Sequence, residues 1–171
     1  VFGFAILGLL IYAGFKSPDM FIAREVLIHA TPEKIFPYVN NSKKSFEWMP
    51  WMTEDPGISI QFSGPSDGVG SVASWESKAQ MGVGRAEIVE SVENKLVKTE
   101  LNYVKPMEMA QTAELSLTPT SEGTIVRWSV KGQKSFVFRL MCIFANADKM
   151  IGASFEKGLS LLKSLSEDGA K

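Results

Sequence analysis

Cysteine and histidine are almost missing from this chain. Its 171 residues hold one of each, Cys142 and His29. A lone cysteine excludes an intrachain disulfide and a cysteine-based zinc site, and a lone histidine leaves a histidine metal site short of ligands. No cofactor or metal is therefore expected. An excess of charge is missing too. With a formal net charge of −1, the chain lacks the basic surface that displaces counterions from nucleic acid. Its visible basic pair, Lys43-Lys44, reads as a solvated loop. Repeats and low-complexity tracts are absent. So is a phosphate-binding glycine loop: "GVGR" at 82–85 lacks both the further glycine spacing and a lysine-threonine end.

Charge is wholly absent from Val1 to Phe15, "VFGFAILGLLIYAGF". A membrane-spanning helix needs about 20 apolar residues. This run is shorter, but it begins without methionine, as expected of a piece of a longer chain. It reads as the C-terminal part of a single-pass transmembrane anchor over residues 1–16. A cleaved signal peptide is the rival, although "AGFKSPD" fits an A-x-A-like cleavage pattern poorly. A buried core helix is disfavoured by Gly3, Gly8 and Gly14, since glycine suits membrane helices better than soluble ones. Lys16 alone does not fix which side of the membrane the rest occupies. Residues 17–21, with Ser17-Pro18-Asp19, form a linker.

Beyond the linker, apolar and polar residues alternate. "FIAREVLIHA" reads as a strand with Ile22, Arg24, Val26 and Ile28 on one face and Ala23, Glu25, Leu27 and His29 on the other. Thr31-Pro32 then signals a helix start. Ile35, Phe36 and Val39 make its apolar stripe, and Pro37 is expected to limit or kink it. "SKKSFEWMPW" reads as a second short helix or turn, with Trp48 and Trp51 on one face at i and i+3. From Ile58 to about Gln133, six alternating β-branched runs lie between short breaks at Gly64-Pro65, Asp67-Gly68, Gly82 with Gly84, Glu93-Asn94, Lys105-Pro106 and Glu122-Gly123. Such breaks imply hairpins and a mostly antiparallel sheet. From about Asn146 to Glu167, Ile151, Phe155, Gly158, Leu159, Leu162 and Leu165 recur at helical spacing. This order defines an α+β domain over residues 22–168, with helices on one face of a sheet that tends to curl.

The order and several strings resemble the START-like (SRPBCC) superfamily, and most closely its polyketide cyclase/dehydratase-like branch. The strings are "VLIHATPEKIFPYVNN", "FEWMPWM", "GPSDGVGSVASWES", "GRAEIVES" and "FEKGLSLLKSL". The resemblance spans roughly Phe21 to Leu165 and implies the helix-grip fold: a curved antiparallel sheet of about six or seven strands around a long C-terminal helix, with two short helices after the first strand. It does not fix a function, because the superfamily includes lipid carriers, cyclases, stress proteins and activators of chaperone ATPases.

The resemblance also implies a cavity between sheet and final helix. Strand parity sets Val97, Thr99, Leu101 and Tyr103 inward, with Met109, Gln111, Ala113, Leu115 and Leu117 from the next strand and Val126, Trp128 and Val130 from the last. The expected ligand-binding residues are Val26, Ile28, Phe36, Trp48, Trp51, Trp75, Thr99, Leu101, Tyr103, Gln111, Val126, Trp128, Phe155, Leu159 and Leu162. Such a lining is apolar with a few hydroxyls and one amide, suiting a lipid, sterol-like or polycyclic guest. A packed core with no cavity is the alternative, with Trp128 and Phe155 filling the space. Trp48 and Trp51 read as cover for one end, more as a structural lid than as ligand contacts. "SFVFRLMCIFANADKM" surrounds Arg139 with apolar residues that no single face accounts for. It reads either as a gate touching a bilayer or partner, or as a loop packed under the domain's own edge.

Catalytic machinery is not evident. His29 points away from the expected cavity. Cys142 lies among Met141, Ile143 and Phe144, surroundings that leave a thiol inert. Of the strand carboxylates, Glu76 and Glu87 lack a partner for acid–base work, and Glu114 is expected outward. Glu90, sharing a face with Ala86, Ile88 and Val92, is the one that could face inward. Three functions stay open. The first is a membrane-anchored domain binding a hydrophobic small molecule. The second is a cyclase/dehydratase-type enzyme assisted by Glu90 or Tyr103. The third is a non-catalytic interaction module. Oligomeric state is unreadable from these residues.

Overall fold

A computed structural model describes residues 17–79, 81–141, 143 and 146–168. The expected anchor at 1–16 and Cys142 lie outside the described residues. Among the described residues, no helix is long and apolar enough to cross a membrane.

Seven strands form the sheet: β1 (Asp19–Ile28), β2 (Ser59–Ser63), β3 (Val72–Glu76), β4 (Val83–Val92), β5 (Leu96–Lys105), β6 (Met109–Thr120) and β7 (Gly123–Gln133). Their spatial order is β1-β7-β6-β5-β4-β3-β2, and every pairing is antiparallel. Successive strands from β2 to β7 are neighbours, as hairpin connections require. β1 joins last, beside β7. The helices are α1 (Pro32–Val39), α2 (Ser42–Ser45), α3 (Trp51–Glu54), α4 (Phe136–Met141) and α5 (Ala147–Asp168). The α+β helix-grip architecture expected from the sequence is the one observed.

The long helix α5 packs along β1 and closes one sheet edge. Lys163 Nζ donates to the Leu27 carbonyl at 2.6 Å, and the His29 backbone N–H donates to Glu167 Oε1 at 2.7 Å. Edge-strand groups that could pair with another chain are thereby occupied. Further along, the Arg24 guanidinium bonds Asp148 at 3.0 Å and Glu156 at 2.8 Å. Gly152 lies beneath it, and a Cβ there would make the guanidinium shift.

The main core lies where α1, α5 and the sheet meet. Ile28, Ile35, Trp48, Val97, Val126, Leu159 and Leu162 are all buried there. Gly158 lets α5 come close: a Cβ on it would sit 3.0 Å from Trp128 and 3.2 Å from Pro50.

Several local expectations change. Pro37 is accommodated inside α1, which ends two residues later at Val39. Thr31 occupies the N-cap but makes no side-chain capping bond. Trp48 and Trp51 do not share a helix: Trp48 lies in the turn after α2, and Trp51 opens α3 behind Pro50. Gly84 is not in a turn. It lies inside β4, where it makes room for the Trp75 indole.

Candidate functional site

Beside the packed core, sheet and α5 border an open-sided cavity of about 520 Å³. Residues alternate across a strand, so every second side chain toward one end of β5, β6 and β7 faces it. Leu101 and Tyr103 come from β5, Met109, Gln111 and Ala113 from β6, and Trp128 and Val130 from β7. Ile151, Ser154 and Phe155 supply the α5 side, spaced to share one helical face. Trp51 of α3 and Phe138 of α4 complete the wall with Met20, Met81 and Met107. Asp55, Lys105 and Ser135 add polar groups.

Aromatic packing fixes the boundary between core and cavity. Trp48 is fully buried, and its Nε1 donates to the Tyr38 carbonyl at 3.0 Å. Its ring meets Trp128 edge-on at 5.2 Å. Trp51 approaches the same indole at 6.1 Å, tilted by 56°. Phe155 stacks on Trp128 from the helix side. Trp128 is thus a partition with the core on one flank and open space on the other. The tryptophans of "FEWMPWM" divide their tasks accordingly: Trp48 packs the core and Trp51 walls the cavity.

Of the expected ligand-binding residues, Trp51, Leu101, Tyr103, Gln111, Trp128 and Phe155 line the cavity. Val26, Ile28, Phe36, Trp48, Val126, Leu159 and Leu162 belong instead to the main core or pack against it. Trp75 forms a separate small cluster with Phe46 and Ala73. Its Nε1 donates to the Met81 carbonyl at 3.1 Å. Thr99 is half-buried between Val97 and Leu101 on β5 and does not reach the cavity wall. Strand parity sets Met109 inward, but it does not reveal that Met20, Met81 and Met107 join it on the cavity wall. Their shared signal is position at strand ends and in turns. Methionine is flexible and polarisable, so such a wall adapts to irregular guests.

The acid–base candidates separate as well. The pairing of β4 with β5 shifts between Ile88 and Glu90. This bulge at Val89 resets the alternation, so Glu90 does not follow Ile88 inward. Its carboxylate accepts from Lys98 Nζ at 2.7 Å and is 45% exposed. The expectation that Glu90 could serve inside the cavity is therefore corrected. Glu114 lies outward near the same lysine, at 3.9 Å, as parity indicates. His29 is exposed, with Nδ1 2.9 Å from the Glu122 carbonyl. Asp55, on the cavity wall, already accepts from the Ser77 hydroxyl and from the Gly57 N–H at 3.2 Å. Tyr103 is different: burial pushes its phenol up to about 12. The hydroxyl therefore stays protonated near neutrality and is a hydrogen-bond donor rather than a base.

A curved antiparallel sheet gripping one long helix, hollow at one end and walled by apolar side chains, defines a helix-grip domain. The chain belongs to the polyketide cyclase / dehydrase and lipid transport family, whose profile matches residues 22–167. A protein from Chromobacterium violaceum is similar with a TM-score of 0.63 at 14% identity, over 86% of this chain and 96% of that one. The di-domain ARO/CYC protein StfQ of the steffimycin biosynthetic pathway gives 0.64 at 13% identity. The match covers 89% of this chain and 52% of StfQ, so this chain spans about half of it. The Aha1 dimer from Colwellia psychrerythraea gives 0.59 at 19%, over 89% of this chain and 99% of that one. At these identities the likeness establishes the fold. No curated protein matches the sequence.

Proposed function

We propose that the protein binds a hydrophobic small molecule, a lipid or a polycyclic, between the sheet and α5, and that residues 1–16 anchor it in a membrane by a single pass. The observation that carries the binding reading is the cavity of about 520 Å³ with methionine, tryptophan and phenylalanine in its wall. Ligand sites are typically apolar hollows of about 300–1,000 Å³ with a few placed polar groups. The binding unit is residues 22–168 together with Asp19–Phe21, which open β1, so of the expected linker at 17–21 only Ser17-Pro18 precede the sheet.

Anchoring is supported by the uncharged run from Val1 to Phe15. Geometry adds to it. Met20 lines the cavity four residues beyond Lys16, and four extended residues span at most about 14 Å. An anchor ending at Lys16 therefore keeps the cavity next to the bilayer, where apolar molecules are concentrated. An enzymatic role has weaker support, because Glu90 faces outward and pairs with Lys98.

Native mass spectrometry of the gently purified chain, followed by organic extraction, tests the binding reading. A lipid or polycyclic at defined stoichiometry is expected. A bare protein that also takes up nothing from a broad lipid panel sinks it and favours an interaction module. Alkaline carbonate extraction of membranes tests the anchor: release of the full chain into the soluble fraction would refute it.

A further inference from the structure

The cavity has few polar groups, and among the described residues Tyr103 and Gln111 on the sheet, like Ser154 on α5, have hydrogen-bonding capacity that nothing uses. Tyr103 on β5 stands opposite Met109 on β6, and Gln111 stands opposite Leu101, so all four share the concave face. The Tyr103 ring is held edge-on against Trp75, with centroids 5.5 Å apart and planes at 72°. Among the described residues its hydroxyl has no hydrogen-bond partner, and its acidity is set by burial alone. The Gln111 amide spends one N–H on the Met109 sulfur at 3.3 Å. Thioether sulfur is a weak acceptor, and the Gln111 carbonyl is left unused. Both residues are half-buried on the cavity wall, so their unused groups face the hollow and are free to pair with a guest.

Charge narrows the partner further. The cavity's cation is Lys105, an exposed residue at the end of β5, and its anion is the already bonded Asp55. An anionic ligand group placed at Tyr103 would have to draw the exposed Lys105 inward for a counter-charge, and a cationic one would compete with the bonds Asp55 already makes. A pure hydrocarbon would leave the phenol and the amide unsatisfied.

From this we infer that the cavity selects a neutral apolar molecule bearing a carbonyl oxygen, which accepts a hydrogen bond from Tyr103 while Gln111 meets a second polar atom. The inference rests on the ligand-binding reading above and adds the ligand's chemical class. Pairs matched in size but differing in one oxygen test it: 9-fluorenone against fluorene, and 2-pentadecanone against pentadecane, by equilibrium dialysis with the full chain.

In at least one pair the ketone is expected to bind about tenfold tighter than its hydrocarbon. Tyr103→Phe, which keeps the ring against Trp75, should abolish that preference. Equal binding of ketone and hydrocarbon by the natural chain overturns the inference and leaves hydrophobic binding standing. So does a preference that survives Tyr103→Phe. Failure of all four compounds to bind overturns both. The comparison within the natural chain needs no variant to fold.

Discussion

The rings of Trp128 and Phe155 lie parallel, 4.0 Å between centroids and 4° between planes. One belongs to β7 and the other to α5, so this stack joins sheet to helix where core gives way to cavity. Phe155 is 5% exposed. Truncating it to alanine forfeits the stack and enlarges the hollow. Phe155→Ala is expected to cost about 3–5 kcal/mol of unfolding free energy. Urea unfolding followed by tryptophan fluorescence measures it, and a loss under about 1 kcal/mol would mean that the stack contributes little.

Gly84 and Trp75 are bound by space. A Cβ at 84 would enter the indole and lie 3.0 Å from the Asn102 carbonyl. Gly84→Ala should displace Trp75, break its bond to the Met81 carbonyl and destabilise the domain by about 1–3 kcal/mol. A shifted Trp75 indole N–H resonance together with a lowered melting temperature is the expected signature. An unmoved resonance would refute the steric argument.

Arg24 gives a pH dependence of known sign. Hydrogen bonding from its guanidinium, reinforced by its charge, holds the Asp148 carboxyl below the usual range. A carboxyl lowered on folding stabilises the fold at pH above its unfolded pKa, and that contribution is lost as pH falls through the lowered value. NMR titration should place Asp148 below ordinary aspartates, and Arg24→Gln should return it upward. High salt should weaken the effect, because both partners are solvent-accessible.

Tyr103 titrates in the opposite sense. With the phenol raised to about 12, folding stability is intact below the unfolded value of about 10 and declines as pH climbs through 12. Ultraviolet difference titration should show a late-ionising tyrosine that disappears in Tyr103→Phe. A natural chain whose tyrosines all ionise near the ordinary value of about 10 would contradict the placement of this phenol on the apolar cavity wall.

Glu90 supplies a negative prediction. Its carboxylate is on the outer face, paired with Lys98. Glu90→Gln should leave ligand affinity unchanged within about twofold, the ordinary range for a surface change. A large loss would return this carboxylate to the site.

Much of this architecture is legible in the residues because alternation and turn chemistry are local signals. The strand runs, their inward faces and the span of α5 all come from residue spacing. Parity misplaces Glu90 because it holds only until a bulge, and nothing in "EIVESV" marks Val89 as the extra residue. Gly84 resembles turn chemistry because a glycine serving a neighbouring indole looks no different in sequence. Parity also says nothing about depth. Val97 and Tyr103 share a face, yet one packs the core and the other borders the hollow. Which end of the sheet is filled depends on where α1 and Trp48 settle, a long-range matter. Trp48 and Trp51 look like helical neighbours because spacing alone ignores the break at Pro50.

Helix α5 belongs to two environments at once. Leu159 and Leu162 are wedged among core side chains, whereas Ile151, Ser154 and Phe155 look onto unfilled space. Local opening costs least where fewest apolar contacts must break. The first turns of α5, held to β1 through Arg24 and Asp148, are therefore expected to exchange their amide hydrogens sooner than the later turns, a door hung on its own C-terminal half. Cargo in the hollow would hold that door closed, and slowed exchange confined to the first turns would report its arrival.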